Sequence, residues 1–328
     1  MRTLSYAQAI YEATRQLLAN DPRVFVIGQG LWSPWYVGTT MTDLDKEFGR
    51  DRIIDTPVSE NAVTGAAIGA AIAGMRPILV HPRMDFMLLA MDPLINQASN
   101  WSYMFAGQVN VPLVVRPIIN RGGEQGAQHS QALHAFFMHV PGIKVVMPAT
   151  PYDAKGLLIA AVRDGNPVLY IEDRWLYGIE GDVPEEPFEV EIGKGVIRRR
   201  GSDVTIVAIS YMHAEAMKAS HELAARGIDA EIIDLRSIKP WDRELVLQSV
   251  RKTGRVIVAD TGWTTAGAAA EIVATVCEEA FEFLKAPVKR VALPDAPAPA
   301  SRSLEKVYYP DWQNIVTVAE QQLARQTI

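Results

Sequence analysis

What most constrains the fold of this chain is an alternation that runs along nearly its whole length, in which short runs rich in Val and Ile are separated by longer Ala-rich runs. Short β-branched runs suit strands covered on both faces, and Ala-rich runs suit helices. The alternation is therefore that of a mostly parallel sheet with helices on both sides. The fold class expected is α/β, with two doubly wound domains. In the first half the pattern predicts a helix over 5–20, strands over 24–28, 77–80, 111–116, 144–147 and 168–172, and helices over 60–74, 86–106, 130–138 and 151–164. Turn chemistry at Asp21-Pro22, Pro141-Gly142 and Asp164-Gly165-Asn166-Pro167 falls at the ends of these elements. The pattern lapses between about 178 and 203. A second series follows, with strands over 204–209, 230–233, 255–259 and 288–291 and helices over 212–226, 242–250 and 266–284. The expected domains are 1–190 and 191–328.

Composition narrows the function. Lys and Arg number 32 against 38 Asp and Glu, for a net charge of −6, and the one basic run is Arg198-Arg199-Arg200, so a general nucleic-acid binder is not expected. Cys277 is the single cysteine. It permits no intrachain disulfide and no cysteine-based zinc site, as suits a reducing cytoplasm. Charges or turn residues interrupt every apolar stretch before about 18 residues, so neither a membrane span nor a secretion signal is expected.

Three clusters carry candidate chemistry. In Asp55-Thr-Pro57-Val-Ser59-Glu60, a polar turn enters a helix in which Gly65, Gly69 and several Ala remove bulk from one face, so that another backbone can approach. Glu60 reads either as a first-turn carboxylate that complements the helix dipole or as a site residue. Phe86, in Arg83-Met84-Asp85-Phe86, reads as core or as a cofactor contact. His129, in Gln128-His129-Ser130-Gln131, follows the glycine-rich loop Asn120 to Ala127, which needs positive φ at several points. His134 and His139 lie at poor metal-ligand spacing from it and are assigned to packing or surface.

Taken in order, these motifs, with Val111-Pro112-Leu113-Val114-Val115-Arg116, Pro141-Gly142-Ile143-Lys144-Val145-Val146, Asp153-Ala154-Lys155-Gly156, Ile192-Gly193-Lys194-Gly195 and Asp234-Leu235-Arg236, make the chain resemble the beta subunit of the 2-oxo acid dehydrogenase (pyruvate dehydrogenase-type) decarboxylating component, one of the transketolase-like thiamine diphosphate enzymes. The resemblance spans nearly the entire chain. It implies a pyrimidine-binding domain over 1–190, a transketolase C-terminal-like domain over 191–328, and decarboxylation of a 2-oxo acid with acyl transfer to lipoamide. It makes Glu60 the carboxylate that hydrogen-bonds the aminopyrimidine of thiamine diphosphate, Phe86 the ring packed on the pyrimidine face, and His129 a group near the reacting carbon. It also implies a potassium ion held mostly by backbone oxygens at Leu113, Ala161, Val162, Asp164 and Asn166, although the residues alone equally describe an ordinary turn.

The sequence contains no Gly-Asp-Gly, the segment that with a downstream Asn holds the diphosphate and magnesium in this superfamily. The resemblance therefore implies an alpha-type partner carrying that half, in a two-alpha, two-beta assembly with a beta-beta contact, and a lipoyl-bearing acyltransferase as a further partner. Three stretches depart from the family pattern: Gly28-Gln29-Gly30 where an acidic run is usual, His81 where an early Glu is usual, and Asp260-Thr261-Gly262-Trp263. Trp32, Trp35 and Tyr36 read as lining a substrate path or as packing on the partner. These departures leave a second function open, a split transketolase-like or acyloin-forming enzyme that hands its unit to an aldehyde; a non-catalytic scaffold is a third reading, against which Glu60, Phe86 and His129 together speak.

Overall fold

The structure, a computed structural model, describes residues 2–324. It divides into two compact units, one of Met1–Arg121 with Gln128–Ile192 and the other of Gly122–Ala127 with Gly193–Ile328. Both are mixed α/β, as the alternating pattern requires.

In the first unit, six strands run parallel in the spatial order Lys144–Val146, Val168–Tyr170, Val114–Ile119, Arg76–His81, Val24–Gly28, Ile53–Asp55. Glu172–Asp173 continues alongside Val114–Ile119. The Val24–Gly28 and Val114–Ile119 strands are buried at every position, which explains why they read as unbroken apolar runs rather than alternating ones. The expected 5–20 helix forms as Tyr6–Asn20 and starts at a capping box. The Ser5 hydroxyl accepts from the Gln8 amide, and the Gln8 side chain accepts in return from the Ser5 amide. Arg2–Ser5 pairs antiparallel with Glu180–Val183, a short ribbon that composition does not reveal.

Three expectations need correction. The strand placed at 111–116 is shifted to Val114–Ile119, because Val111-Pro112 supplies a turn, with the Leu113 amide bonded to the Val111 carbonyl. The 130–138 helix is the shorter His134–His139. The continuous helix expected over 86–106 is broken into 3-10 turns at Met84–Ala90, a π-helical stretch at Pro93–Ala98 and an α-helix at Ser99–Met104. Pro93 has no amide hydrogen to donate, so the regular ladder cannot pass through it.

In the second unit, Ala230–Asp234, Val204–Ala208, Val256–Trp263 and Lys289–Leu293 are parallel in that order, with Val196–Arg199 added antiparallel at the edge. One cluster of Ile206, Ala208, Met212, Ile232, Ile257, Ile315 and Ala319 joins the sheet to the Met212–Ala225 and Trp312–Ala324 helices. Asp260 caps the Ala268–Glu279 helix through the Ala269 amide and also accepts from the Gly262 amide, so this departure in sequence has a structural role. Among the described residues, no helix is long and apolar enough to cross a membrane.

Candidate active site

In open parallel sheets, ligands gather where strands end at their carboxyl ends. In the first unit that edge collects the residues singled out by sequence. Glu60 opens the Glu60–Ile72 helix and is only 4% exposed. Its Oε1 accepts from the Gln29 side-chain amide at 3.1 Å, and Gln29 directly follows the Val24–Gly28 strand. The helix is tied twice to the segment that runs from the Arg76–His81 strand into the following turns. Asn61 donates to the Leu89 carbonyl at 3.2 Å, and Thr64 meets the His81 ring nitrogen at 3.3 Å. Those contacts fix the start of the helix against the Met84–Ala90 turns.

These turns carry Phe86. Phe86 is 38% exposed, and its ring meets the His129 ring edge to face at 5.2 Å between centroids. Beside them lies Asp85, which is buried. Its Oδ1 accepts from the Gln131 amide at 3.0 Å, while its Oδ2 is buried without a partner. Burial pushes the Asp85 carboxyl up from its ordinary value, against the opposing pull of the Gln131 hydrogen bonds and of His129. His81 is wholly buried, and desolvation lowers its imidazole to about 4. It is thus a neutral ring at ordinary pH, in a place where the family pattern has a carboxylate.

The structure thus brings Phe86 and His129 into contact and places Glu60 on the helix pinned to the same turns. His134 is fully buried at the start of its helix and His139 is exposed on the same helix, as assigned. The loop before His129 has positive φ at Gly122, Gly123 and Gly126, as its glycine content requires. Sequence reasoning did not nominate Asp85 or Gln29 as site residues. The signal for Gln29 was its place in the departure from the acidic run.

The five residues proposed for potassium lie away from this edge. The Leu113 carbonyl already accepts from the Val168 amide, and the Val162 carbonyl accepts from Arg76. Asp164 Oδ1 and Asn166 Oδ1 are both buried without a partner, while Asp164 Oδ2 binds Lys144. Two orphaned oxygens in one tight turn are donors of the kind a hard cation takes, whereas the adjacent Arg76 and Lys144 charges oppose one. No cluster of three or more His, Cys, Asp or Glu that could hold a metal occurs among the described residues. A cavity of about 510 Å³ also lies away from this edge. Arg23, at the amino end of its strand, and Arg76 line it together with Asp21, to which both are ion-paired.

Comparison with known proteins follows this geometry. Residues 2–179 match the transketolase pyrimidine binding domain and residues 193–315 the transketolase C-terminal domain. The chain is 42% identical to the acetoin:2,6-dichlorophenolindophenol oxidoreductase subunit beta of Cupriavidus necator, over 97% of both chains. It is 40% identical to the mitochondrial pyruvate dehydrogenase E1 component subunit beta-1 of Arabidopsis thaliana, over 97% of this chain and 89% of that one. Among solved structures, a split-gene transketolase described as an inactive beta4 tetramer superposes with a TM-score of 0.80 at 23% identity, covering 98% of this chain and 99% of the other, a likeness of fold.

Proposed function

The chain belongs to the family of beta subunits of thiamine diphosphate-dependent 2-oxo acid and acetoin dehydrogenases, and we propose that it forms the aminopyrimidine half of a decarboxylating site completed by an alpha-type chain. The observation that carries this reading is the buried Glu60 carboxylate, oriented by Gln29 and pinned to the turns that present Phe86 and His129. A buried carboxylate beside an accessible aromatic ring fits a flat, basic heterocycle, since one binds a protonatable ring nitrogen and the other its face. Thiamine diphosphate, when bound, supplies the electron sink for loss of carbon dioxide. Glu60 holds a proton at the pyrimidine nitrogen, Phe86 orients the ring, and His129 binds the substrate or moves a proton at the reacting end.

Magnesium and the diphosphate belong to the partner chain in this reading, in a two-alpha, two-beta assembly that works in the cytoplasm. The uncovered small-residue face of the Glu60–Ile72 helix supports such an assembly: a Cβ at Gly65 or Gly69 would meet nothing within 4 Å. Potassium is proposed at the Asp164–Asn166 turn, where it would satisfy the orphaned oxygens. The acyl group passes to a lipoyl-bearing acyltransferase. In the second reading it passes to an aldehyde, an alternative that Gly28-Gln29-Gly30 leaves open by standing where the resemblance expects an acidic run. A lipoamide reductive-acylation assay separates the two.

The test of the site is Glu60→Gln in the assembled complex. Turnover is expected to fall 100-fold or more with assembly intact, because a proton-relay group contributes about 10²–10⁴-fold. Turnover within about threefold of the parent would move the scaffold reading forward.

A further inference from the structure

Two arginines at the same sheet edge form no ion pair among the described residues. Arg83 follows the Arg76–His81 strand and Arg174 directly follows Glu172–Asp173, the two strands that flank Val114–Ile119. They converge on one residue, Tyr36. The Arg174 Nη2 donates to the Tyr36 carbonyl at 2.7 Å, and the Arg83 guanidinium stands 6.0 Å from the centre of the Tyr36 ring. Arg83 Nη1 donates to the Pro82 carbonyl at 2.9 Å, and the Nε of each arginine is buried without a partner. Arg116 and Arg121, by contrast, are ion-paired to Glu172 and Asp173. Asp85 is the acidic group facing Arg83, and it spends Oδ1 on the Gln131 amide. Burial first, and the charge of Arg174 second, lower the Arg83 guanidinium from its ordinary value.

Tyr36 also locates the pair relative to the site. Its ring packs closely on Gly30, where an added Cβ would meet it at 2.0 Å, and Gly30 adjoins the Gln29 that holds Glu60. One residue thus links the Glu60 support to the two guanidiniums, Arg83 through its ring and Arg174 through its backbone carbonyl. Two partly buried like charges with spare donors, at a strand-end edge, form a receptor for an anion, because a carboxylate or phosphate would satisfy the orphaned N–H groups and cancel the repulsion.

We propose that Arg83 and Arg174 together bind an anionic group, carboxylate or phosphate, on the substrate of this site. The assignment deepens the decarboxylase reading and rests on it: the substrate is charged, and a neutral acyloin is a poor fit. Tyr36 is a positioning residue, serving both arginines through its ring and its carbonyl.

The experiment uses the complex of this chain with its alpha-type partner, loaded with thiamine diphosphate and magnesium. Three probes are titrated calorimetrically: oxamate, an unreactive carboxylate analogue of a 2-oxo acid; inorganic phosphate; and neutral acetoin. The parent complex is expected to bind one of the anions at least tenfold more tightly than acetoin, and the preferred anion identifies the group. Arg83→Met and Arg174→Met should each weaken that anion at least tenfold, change acetoin by less than threefold, and leave thiamine diphosphate binding unchanged. Arg83→Lys, which keeps the charge but not the planar fork, should recover part of the loss and guards against a folding artefact. Equal losses for acetoin and the anions, or no preference for an anion in the parent complex, would overturn the proposal. Failure of the underlying reading looks different, since there Glu60→Gln leaves turnover intact whatever the arginines do.

Discussion

In the first unit Arg116 and Glu172 are both fully buried, joined at 2.6 Å, with Thr40 and Tyr177 supplying further hydrogen bonds. In the second, the buried carboxylates of Glu231 and Asp234 face Lys252 and Arg198, whose side chains keep 44% and 23% of their surface in water. The surfaces differ too. The first unit leaves Val58, Leu89, Tyr103, Met104 and Phe105 exposed, while the second exposes Phe281, Leu304 and Val307. The first unit thus holds one ion pair wholly inside and leaves a run of apolar side chains outside, as suits a subunit of an assembly, whereas these two pairs of the second unit each keep one end in solvent.

The most severe way to break the comparison is Arg116→Leu. It strands Glu172 in a dry interior and should cost about 3–5 kcal/mol by denaturant titration, whereas Lys252→Met should cost less than about 1 kcal/mol because its partner still accepts from Ser249. If the two costs proved equal, the distinction between the units would be void.

A pH scan sharpens it next. The folded protein holds His81 neutral down to about 4, against 6.5 for an ordinary imidazole. Between these values the unfolded chain takes up the proton and the folded one does not, so stability should be complete above pH 6.5 and decline as pH falls towards 4. The loss should reach about 3 kcal/mol. His81→Gln, which keeps a partner for Thr64, should flatten that slope when urea midpoints are compared across the range.

The mildest test uses one substitution in two places. Gly201→Ala in the second unit would press a methyl to 2.3 Å from the Ala230 backbone, and should cost about 1–3 kcal/mol. Gly65→Ala meets open space and should raise the melting temperature of the isolated chain slightly, since Gly in a helix is worth up to about 1 kcal/mol less than Ala. Pull-down of the alpha-type chain should weaken in the same variant. Normal assembly would argue that this face is not the contact.

Much of the architecture was legible because it follows from local chemistry. The Ser5 capping box and the Val24–Gly28 apolar run announce their elements in a few neighbouring residues, and the boundaries of both were read within a residue or so. The 86–106 stretch was misread because periodicity ignores the missing amide of Pro93. The Arg2–Ser5 ribbon escaped notice because its partner lies almost 180 residues away.

The site divides along the same line. Glu60, Phe86 and His129 could be nominated from motif order, whereas Gln29 on Glu60, the orphaned Oδ2 of Asp85 and the convergence of Arg83 and Arg174 on Tyr36 could not. By itself the sequence determined the α/β class, the family and the main candidate residues, because strand and helix patterns and motif chemistry are carried by nearby residues in the chain. Only the tertiary structure decided which charges are paired and which are left open. That depends on strands from distant parts of the chain ending side by side, where burial removes the water that would otherwise satisfy every polar group alike.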